Sequence, residues 1–394
     1  MNSIFSDRIS DVPRSFIREI LKVAIDSSVI SFAGGLPNRE LFPVRELRSA
    51  ADKVFEAEGK EALQYSNSEG LEGLRQYISA WYSRKRSLSI APDNILITNG
   101  SQQGLDLLAK TLLNDGDDVI IEEPGYLGAI QAFSVYRSVF NPVPVSDEGM
   151  DVESLKKVVS ARSPKLMYAV PNFQNPSGIS YCDENRYAVS KLLADTNTLL
   201  IEDDPYGDLR FTGEPKQSFK ALLPEQTILL GSFSKTVVPS FRLGWIAAPG
   251  HIMEKLVIAK QASDLHTSSF VQHVMYRYLL DNDLDQHIMK IVTAYRNQCL
   301  AMIRSIDRHF PPEVTCTRPE GGMFLWVTLP AGTSSMTLFD LAIKDKVAFV
   351  PGNPFYINRE HTNTLRLNFS CVDEQTIADG ISRLGKAIRQ LLKQ

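Results

Sequence analysis

Cysteine is scarce in this chain. Four occur in 394 residues, Cys182, Cys299, Cys316 and Cys371, and no two of them form a C-x-x-C pair. That spacing excludes a zinc-ligand pattern and a disulfide framework, and leaves buried free thiols as the expectation. The six histidines show no metal-ligand spacing, so no metal is expected. No apolar run approaches the length that crosses a bilayer. Met1–Arg8 carries Asp7 and Arg8 where a signal peptide needs an unbroken apolar stretch. A dominant charge is missing too: 42 basic against 46 acidic residues give a net charge of -4, which argues against a broad nucleic-acid footprint but not against a local basic pocket. Glycine and proline, 23 and 21 residues, are scattered without period. These absences point to a cytoplasmic protein with neither nucleic acid nor membrane as partner. What remains is ordinary: 43% hydrophobic and 22% charged residues, with a length suited to a large domain and a smaller lobe.

The middle of the chain alternates short apolar runs with amphipathic stretches. Strands are expected at 95–98, 119–122, 166–170, 199–202, 228–230 and 245–248. A helix is expected from Ser101 as N-cap, with Leu105, Leu108, Ala109 and Leu112 on one stripe, and another over 184–194. Such alternation predicts an α/β fold, with a mostly parallel seven-stranded sheet between helices. A second, smaller α+β domain is expected from both termini: a helix over 283–306, strands at 314–317, 324–328 and 365–368, and a last helix striped by Ile377, Ile381, Leu384, Ile388 and Leu391. Near the start, Ile17, Ile20, Leu21, Ala24 and Ile25 mark a helix, followed by the breaker cluster Gly34-Gly35-Leu36-Pro37. The expected division is 1–45 as an arm joining the small domain, 46–285 as the large domain and 286–394 as the small one.

In a parallel sheet, ligands sit beyond the carboxyl ends of the strands. After 228–230 stands Gly231-Ser232-Phe233-Ser234-Lys235, with Arg242 seven residues on. A desolvated lysine there can form a Schiff base, and Ser232, Ser234 and Arg242 can hold a phosphate. After 95–98 stands Asn99-Gly100-Ser101-Gln102, a turn that opens a helix and offers free N–H groups to an anion. Tyr126 follows the next strand and can stack on a flat ring. Asn175-Pro176-Ser177-Gly178 forms a tight turn, with a cis peptide bond plausible before Pro176. The pair Asp203-Asp204 at a strand end is costly unless a cation lies nearby, and Tyr206 follows it. Together these residues match every part of pyridoxal phosphate. Lys235 suits its aldehyde, and Ser101, Gln102, Ser232, Ser234 and Arg242 its phosphate. Asp203 suits the pyridine nitrogen, Asn175 and Tyr206 the phenolic oxygen, and Tyr126 a ring face.

On these motifs the chain resembles the fold-type I pyridoxal-phosphate-dependent aminotransferases, in the branch of the 2-aminoadipate and kynurenine enzymes. The resemblance runs from Ser31-Phe32-Ala33-Gly34-Gly35-Leu36-Pro37 to Thr364-Leu365-Arg366-Leu367-Asn368. It implies that Lys235 carries the cofactor covalently and moves the substrate's α-proton, with Asp203 and Tyr206 completing the catalytic set. It implies that Arg366, with Asn175 and Gly35, binds the amino-acid substrate, and that Tyr65 reaches the phosphate of a neighbouring subunit in a homodimer with shared active sites. It implies transfer of an amino group from 2-aminoadipate, glutamate, leucine, an aromatic amino acid or kynurenine to 2-oxoglutarate or another 2-oxo acid. Ser15-Phe16-Ile17-Arg18-Glu19 resembles the segment whose arginine meets a distal carboxylate, which assigns side-chain preference to Arg18; Arg14 and Lys22 on the same row read as solvated. Two alternatives share much of this pattern: a β-lyase or decarboxylase on the same fold, and a regulator using the domain as a sensor. The net charge and the early start of the motifs argue against the regulator.

Overall fold

The computed structural model describes residues 4–10, 12, 26, 28–358 and 361–393. Fourteen strands lie among them. The large sheet holds β2 (Ile95–Asn99), β3 (Asp118–Glu123), β4 (Val139–Ser146), β5 (Gly149–Met150), β6 (Leu166–Ala169), β7 (Leu199–Asp203), β8 (Thr227–Ser232) and β9 (Leu243–Ala247), in the order β2-β9-β8-β7-β6-β3-β4-β5. Seven of these are strands of four to eight residues, and the two-residue β5 adds an eighth at the edge. Pairing is parallel through β4, β3, β6, β7 and β8, and antiparallel where β9 separates β8 from β2.

Alternation along the central strands sends side chains into two helical layers. Ile121, Tyr168, Ile201 and Ile228 pack with Leu105 and Leu108 of the helix Gly100–Leu112. Ile120, Met167 and Leu200 face the other way, onto Leu155, Val189 and Leu193 of the helices Val152–Arg162 and Asp183–Ala194. All of these side chains are buried, at about 1.5–3 kcal/mol for each large aliphatic one, which holds the layers together. Strands buried on both faces read as unbroken apolar runs, which is why the sequence located most of them. β4 escaped because it carries Pro142 and Pro144. Two residues apart, both prolines place their missing N–H on one edge, so the other edge still pairs with β3.

The second sheet is antiparallel, in the order β10-β11-β14-β13: β10 (Thr315–Cys316), β11 (Phe324–Thr328), β13 (Val350–Pro351) and β14 (Thr364–Asn368). The helix Glu374–Leu391 buries its stripe of Ile377, Ile381, Leu384, Ile388 and Leu391. β1 (Ile30–Ser31) pairs in parallel with β12 (Val347–Ala348), which ties the chain's early part to this lobe. The helix marked by Ile17 to Ile25 lies outside the described residues. One boundary is corrected. The helix expected to start at Ser101 is bounded by Gly100, with Asn99 at the cap position; Gly100 itself adopts φ +74, the sharp turn by which the chain passes from β2 into the helix. Among the described residues no helix is long and apolar enough to cross a membrane.

Candidate active site

β7 and β8 end side by side, with Asp203 opposite Leu230. Asp203 is buried, and its Oδ2 accepts a 2.8 Å hydrogen bond from the Tyr168 hydroxyl. Its Oδ1 is also buried and has no hydrogen-bond partner among the described residues. Burial pushes the carboxyl up to about 7, against the pull of Tyr168, with Asp204 and Glu122 pushing further. The adjacent acid is settled differently: Asp204 accepts from Asn172 at 2.8 Å and lies 3.8 Å from Arg86. The cation expected beside this acidic pair therefore serves Asp204, and no cation among the described residues pairs with Asp203.

At the end of β8, Ser232 donates to Leu243 O at 3.2 Å and accepts from Ser234 N at 3.0 Å. Three residues beyond β8 stands Lys235, whose Nζ donates to Gly35 O at 2.8 Å. Burial brings its amine down to about 8, with Arg366 and Arg242 adding repulsion and Cys371 opposing it. Arg242 adopts φ +52, a left-handed conformation that costs about 1–2 kcal/mol for a side chain of this kind. It aims its guanidinium at the turn before the helix Gly100–Leu112, where Asn99 O accepts at 3.5 Å. A Cβ on Gly100 would lie 2.5 Å from Arg242 Nη2, and one on Gly244 would lie 2.8 Å from Ser101 N. Both glycines are required by this close approach. Ser101 and Gln102 occupy the first turn of that helix, and Gln102 donates to Gly128 O at 2.9 Å. Tyr126 stacks at 24° on Tyr168, with ring centroids 6.4 Å apart, and burial raises its hydroxyl to about 12.

Arg366, on β14, is buried. Its Nη1 donates to Asn175 Oδ1 at 2.7 Å and its Nη2 to Ala33 O at 2.8 Å, while its Nε has no partner. Its Cζ sits 4.4 Å from the Phe324 ring centroid and 5.3 Å from that of Phe355. Burial lowers it to about 10, against the pull of Tyr206 and Tyr126. Asn175 also donates to the Tyr206 hydroxyl at 3.4 Å, and burial raises that phenol. The Asn175–Pro176 peptide is cis, as the turn motif suggested, and so is Glu123–Pro124.

Of the residues singled out by sequence, the structure links Lys235 to Gly35, Arg366 to Asn175 and Asn175 to Tyr206. Tyr206 lies within electrostatic reach of Tyr126, Asp203 and Arg366, and Lys235 within reach of Arg366 and Arg242. Ser234 bonds Ser232, and Arg242 meets the turn that leads into Ser101 and Gln102. Tyr65 stands apart. It is 80% exposed, and its ring meets the His266 ring edge-on at 5.9 Å. Arg18 lies outside the described residues.

Sequence reasoning missed Tyr168 and Glu122, and read Cys371 only as a free thiol, whereas its Sγ donates to Leu36 O at 3.1 Å. Tyr168 sits mid-strand and reads as core; the signal was that a tyrosine buried in a strand needs a partner for its hydroxyl. Glu122 is buried and accepts from Val170 N, Gln174 Nε2 and the Tyr181 hydroxyl, and burial pushes it up to about 7. Gln174 in turn accepts from Ser177 N and Oγ, so Glu122 anchors the turn that carries Asn175. Size alone does not locate the chemistry. A cavity of about 840 Å³ runs between the Ser177–Ser180 segment and Thr315–Glu320, and none of the gathered residues lines it.

The residues fit pyridoxal phosphate. Asp203 Oδ1 is a buried acceptor without a donor, which a protonated ring nitrogen would satisfy. Tyr126 offers a ring face, Lys235 an amine near neutrality, and the Gly100 turn with Arg242 an anion cradle.

Comparison with known proteins agrees. The model of the family described as aminotransferase class I and II matches residues 28–384. Aromatic-amino-acid aminotransferase 1 of Thermococcus litoralis is 40% identical over 99% of this chain and 95% of its own length. The kynurenine aminotransferase of Pyrococcus horikoshii, whose crystal structure holds PMP, has a TM-score of 0.95 and 41% identity, covering 99% of this chain and 98% of that one. An α-aminoadipate aminotransferase of Thermus thermophilus, complexed with N-(5'-phosphopyridoxyl)-L-leucine, has a TM-score of 0.92 and 39% identity, with 99% and 98% covered.

Proposed function

This chain belongs to the aminotransferase class I and II family and is a pyridoxal-phosphate-dependent aminotransferase, and we propose that it moves the amino group of 2-aminoadipate, glutamate, leucine, an aromatic amino acid or kynurenine to 2-oxoglutarate or another 2-oxo acid. The observation that carries the reading is the buried Arg366 fork beside the buried amine of Lys235. The relatives named for aromatic amino acids, kynurenine and α-aminoadipate support the substrate range.

When bound, the cofactor supplies an aldehyde that captures amines and a ring that accepts electrons from the substrate Cα. In our reading the chain's residues do the rest. Lys235 holds the cofactor covalently, and its Nζ later takes the proton from the substrate Cα. Asp203, with its buried and unpartnered Oδ1, would hold the ring nitrogen and favour its protonated form. Tyr206 and Asn175 would hold the phenolic oxygen, and Tyr126 would offer its ring to the cofactor's. Arg366 binds the α-carboxylate, while Phe324 and Phe355 flank its guanidinium and exclude water. Ser101, Gln102, Ser232, Ser234 and Arg242 hold the phosphate. Gly35 O receives the lysine proton donor and borders the substrate.

We further read the protein as a cytoplasmic homodimer with domains at 46–285 and 286–394 and an arm over 1–45. Tyr65 is exposed, as are Leu63, near it in the chain, and Leu265, next in the chain to its contact His266, and this supports a second copy whose phosphate Tyr65 reaches. The test is spectroscopic. Single amino acids are added to the holoenzyme, and loss of its visible band is read together with the product. Donors should yield the matching oxo acid; ammonia or carbon dioxide as main product would defeat the reading. Run on Arg18→Ala, the same screen should lower the preference for glutamate over leucine, and an unchanged ratio removes Arg18 from the specificity set.

A further inference from the structure

The phosphate cradle rests on a polar network that none of the roles above uses. Lys260, on the helix Gly250–Ser263, is fully buried. Its Nζ donates to Gln103 Oε1 at 2.7 Å, Asp264 Oδ2 at 2.9 Å and Thr267 Oγ1 at 3.0 Å. Asp264 Oδ2 also accepts from Asn99 Nδ2 at 2.6 Å and Gln103 Nε2 at 2.7 Å. Gln103 Oε1 closes the loop by accepting from Asn99 N at 2.8 Å. The network thus grips the two residues on either side of Gly100-Ser101-Gln102.

An asparagine at a helix cap position ordinarily turns its side-chain oxygen onto the N–H groups of the first turn. Asn99 makes no such cap bond. Its side chain is drawn instead to Asp264, so no cap oxygen occupies the first-turn N–H groups that an anion would use. An ion pair with a buried partner carries a desolvation cost of several kcal/mol, so it is poor as a source of stability and better suited to fixing a geometry. Arg242 bonds the carbonyl of the same Asn99, and Thr267 Oγ1 bonds Ile97 O on the strand that delivers the turn.

We propose that Lys260 and Asp264 are positioning residues for the phosphate cradle: they hold Asn99 away from its own helix and lock Gln103, so that the Ser101–Gln102 N–H groups stay open to the cofactor's phosphate. The inference rests on the cradle assignment above, and the experiment separates the two. The full-length enzyme is stripped of cofactor, then titrated with pyridoxal phosphate and with pyridoxal, which shares the ring and aldehyde but lacks the phosphate. Asp264→Asn keeps the shape and removes the charge that draws Asn99 away. It should weaken pyridoxal phosphate by about tenfold or more, the scale of one helix cap, and leave pyridoxal within about twofold. Gln103→Leu, at a partly exposed position, cuts the network at its other end and gives the same reading should Asp264→Asn not fold. Equal losses for both ligands, or none for either, overturn the inference. A wild-type protein that binds the two ligands equally would instead overturn the cradle.

Discussion

On one side of the cleft the functional groups hang from a single sheet. Asp203 ends β7, Ser232 ends β8, Ser234 and Lys235 follow within three residues, and Ser101 and Gln102 open the helix after β2. Each is placed by local chain geometry, and the parallel order of the strands brings them together. On the other side nothing is local. Arg366 reaches Asn175 across 191 positions and Ala33 across 333, and Lys235 reaches Gly35 across 200. That wall joins the second sheet, the turn after β6 and the loop after β1. Water access divides the site differently, because it cuts across the first wall. Arg366 and Asp203 are buried, whereas Arg242 and Gln102 are exposed. In our reading the exposed end takes the phosphate, whose charge stays partly solvated, and the dry parts take the reacting atoms, where fixed charges act most strongly.

Lys235 belongs to both walls, so its loss should have the largest effect. Lys235→Ala should cost several powers of ten in turnover, each about 1.4 kcal/mol of barrier. Near-wild-type turnover would break the comparison at its root. Arg366→Lys tests whether the second wall serves substrate alone. Losing the planar fork should lower kcat/KM by roughly a hundredfold, or about 2–3 kcal/mol for charge-assisted hydrogen bonds, with affinity for pyridoxal phosphate unchanged. Equal losses in both would merge the two walls into one unit.

The smallest effect is in stability. Asp203 is raised from an ordinary 3.8 to about 7 and Glu122 from 4.5 to about 7. The folded protein therefore binds these protons more tightly than the unfolded chain does. That contribution is fully present below about pH 4 and is lost as pH rises through about 7. In the cofactor-free protein the melting temperature should fall across this window. Asp203→Asn should flatten the fall, and bound cofactor should flatten it too, because a protonated ring nitrogen beside Asp203 favours the carboxylate. A flat profile in the cofactor-free protein would show that Asp203 is not held dry.

Legibility followed the same division. The buried strands were readable because both faces are apolar, and β4 was not because Pro142 and Pro144 look like breakers until β3 is seen to pair along the edge that their missing N–H groups do not face. Lys235, Asp203 and Asn175 were readable because strand ends and turn residues mark their places. Arg366 was legible only through its family motif, since nothing near it in the chain reveals that Phe324 and Phe355 flank it. Tyr168 and Glu122 read as buried strand residues, and only the neighbouring strands and turns show what their polar atoms serve.

By itself, then, the sequence determined the alternation that builds the sheet and the identities of the groups at its strand ends, because side-chain period and turn chemistry are local properties. The tertiary structure alone decided which of those groups lie dry, that Arg86 answers Asp204 while Asp203 pairs with no cation among the described residues, and that Asn99 leans toward Asp264 instead of capping its own helix. Desolvation and long-range pairing depend on what the rest of the chain packs against each group, and no short stretch of residues carries that information.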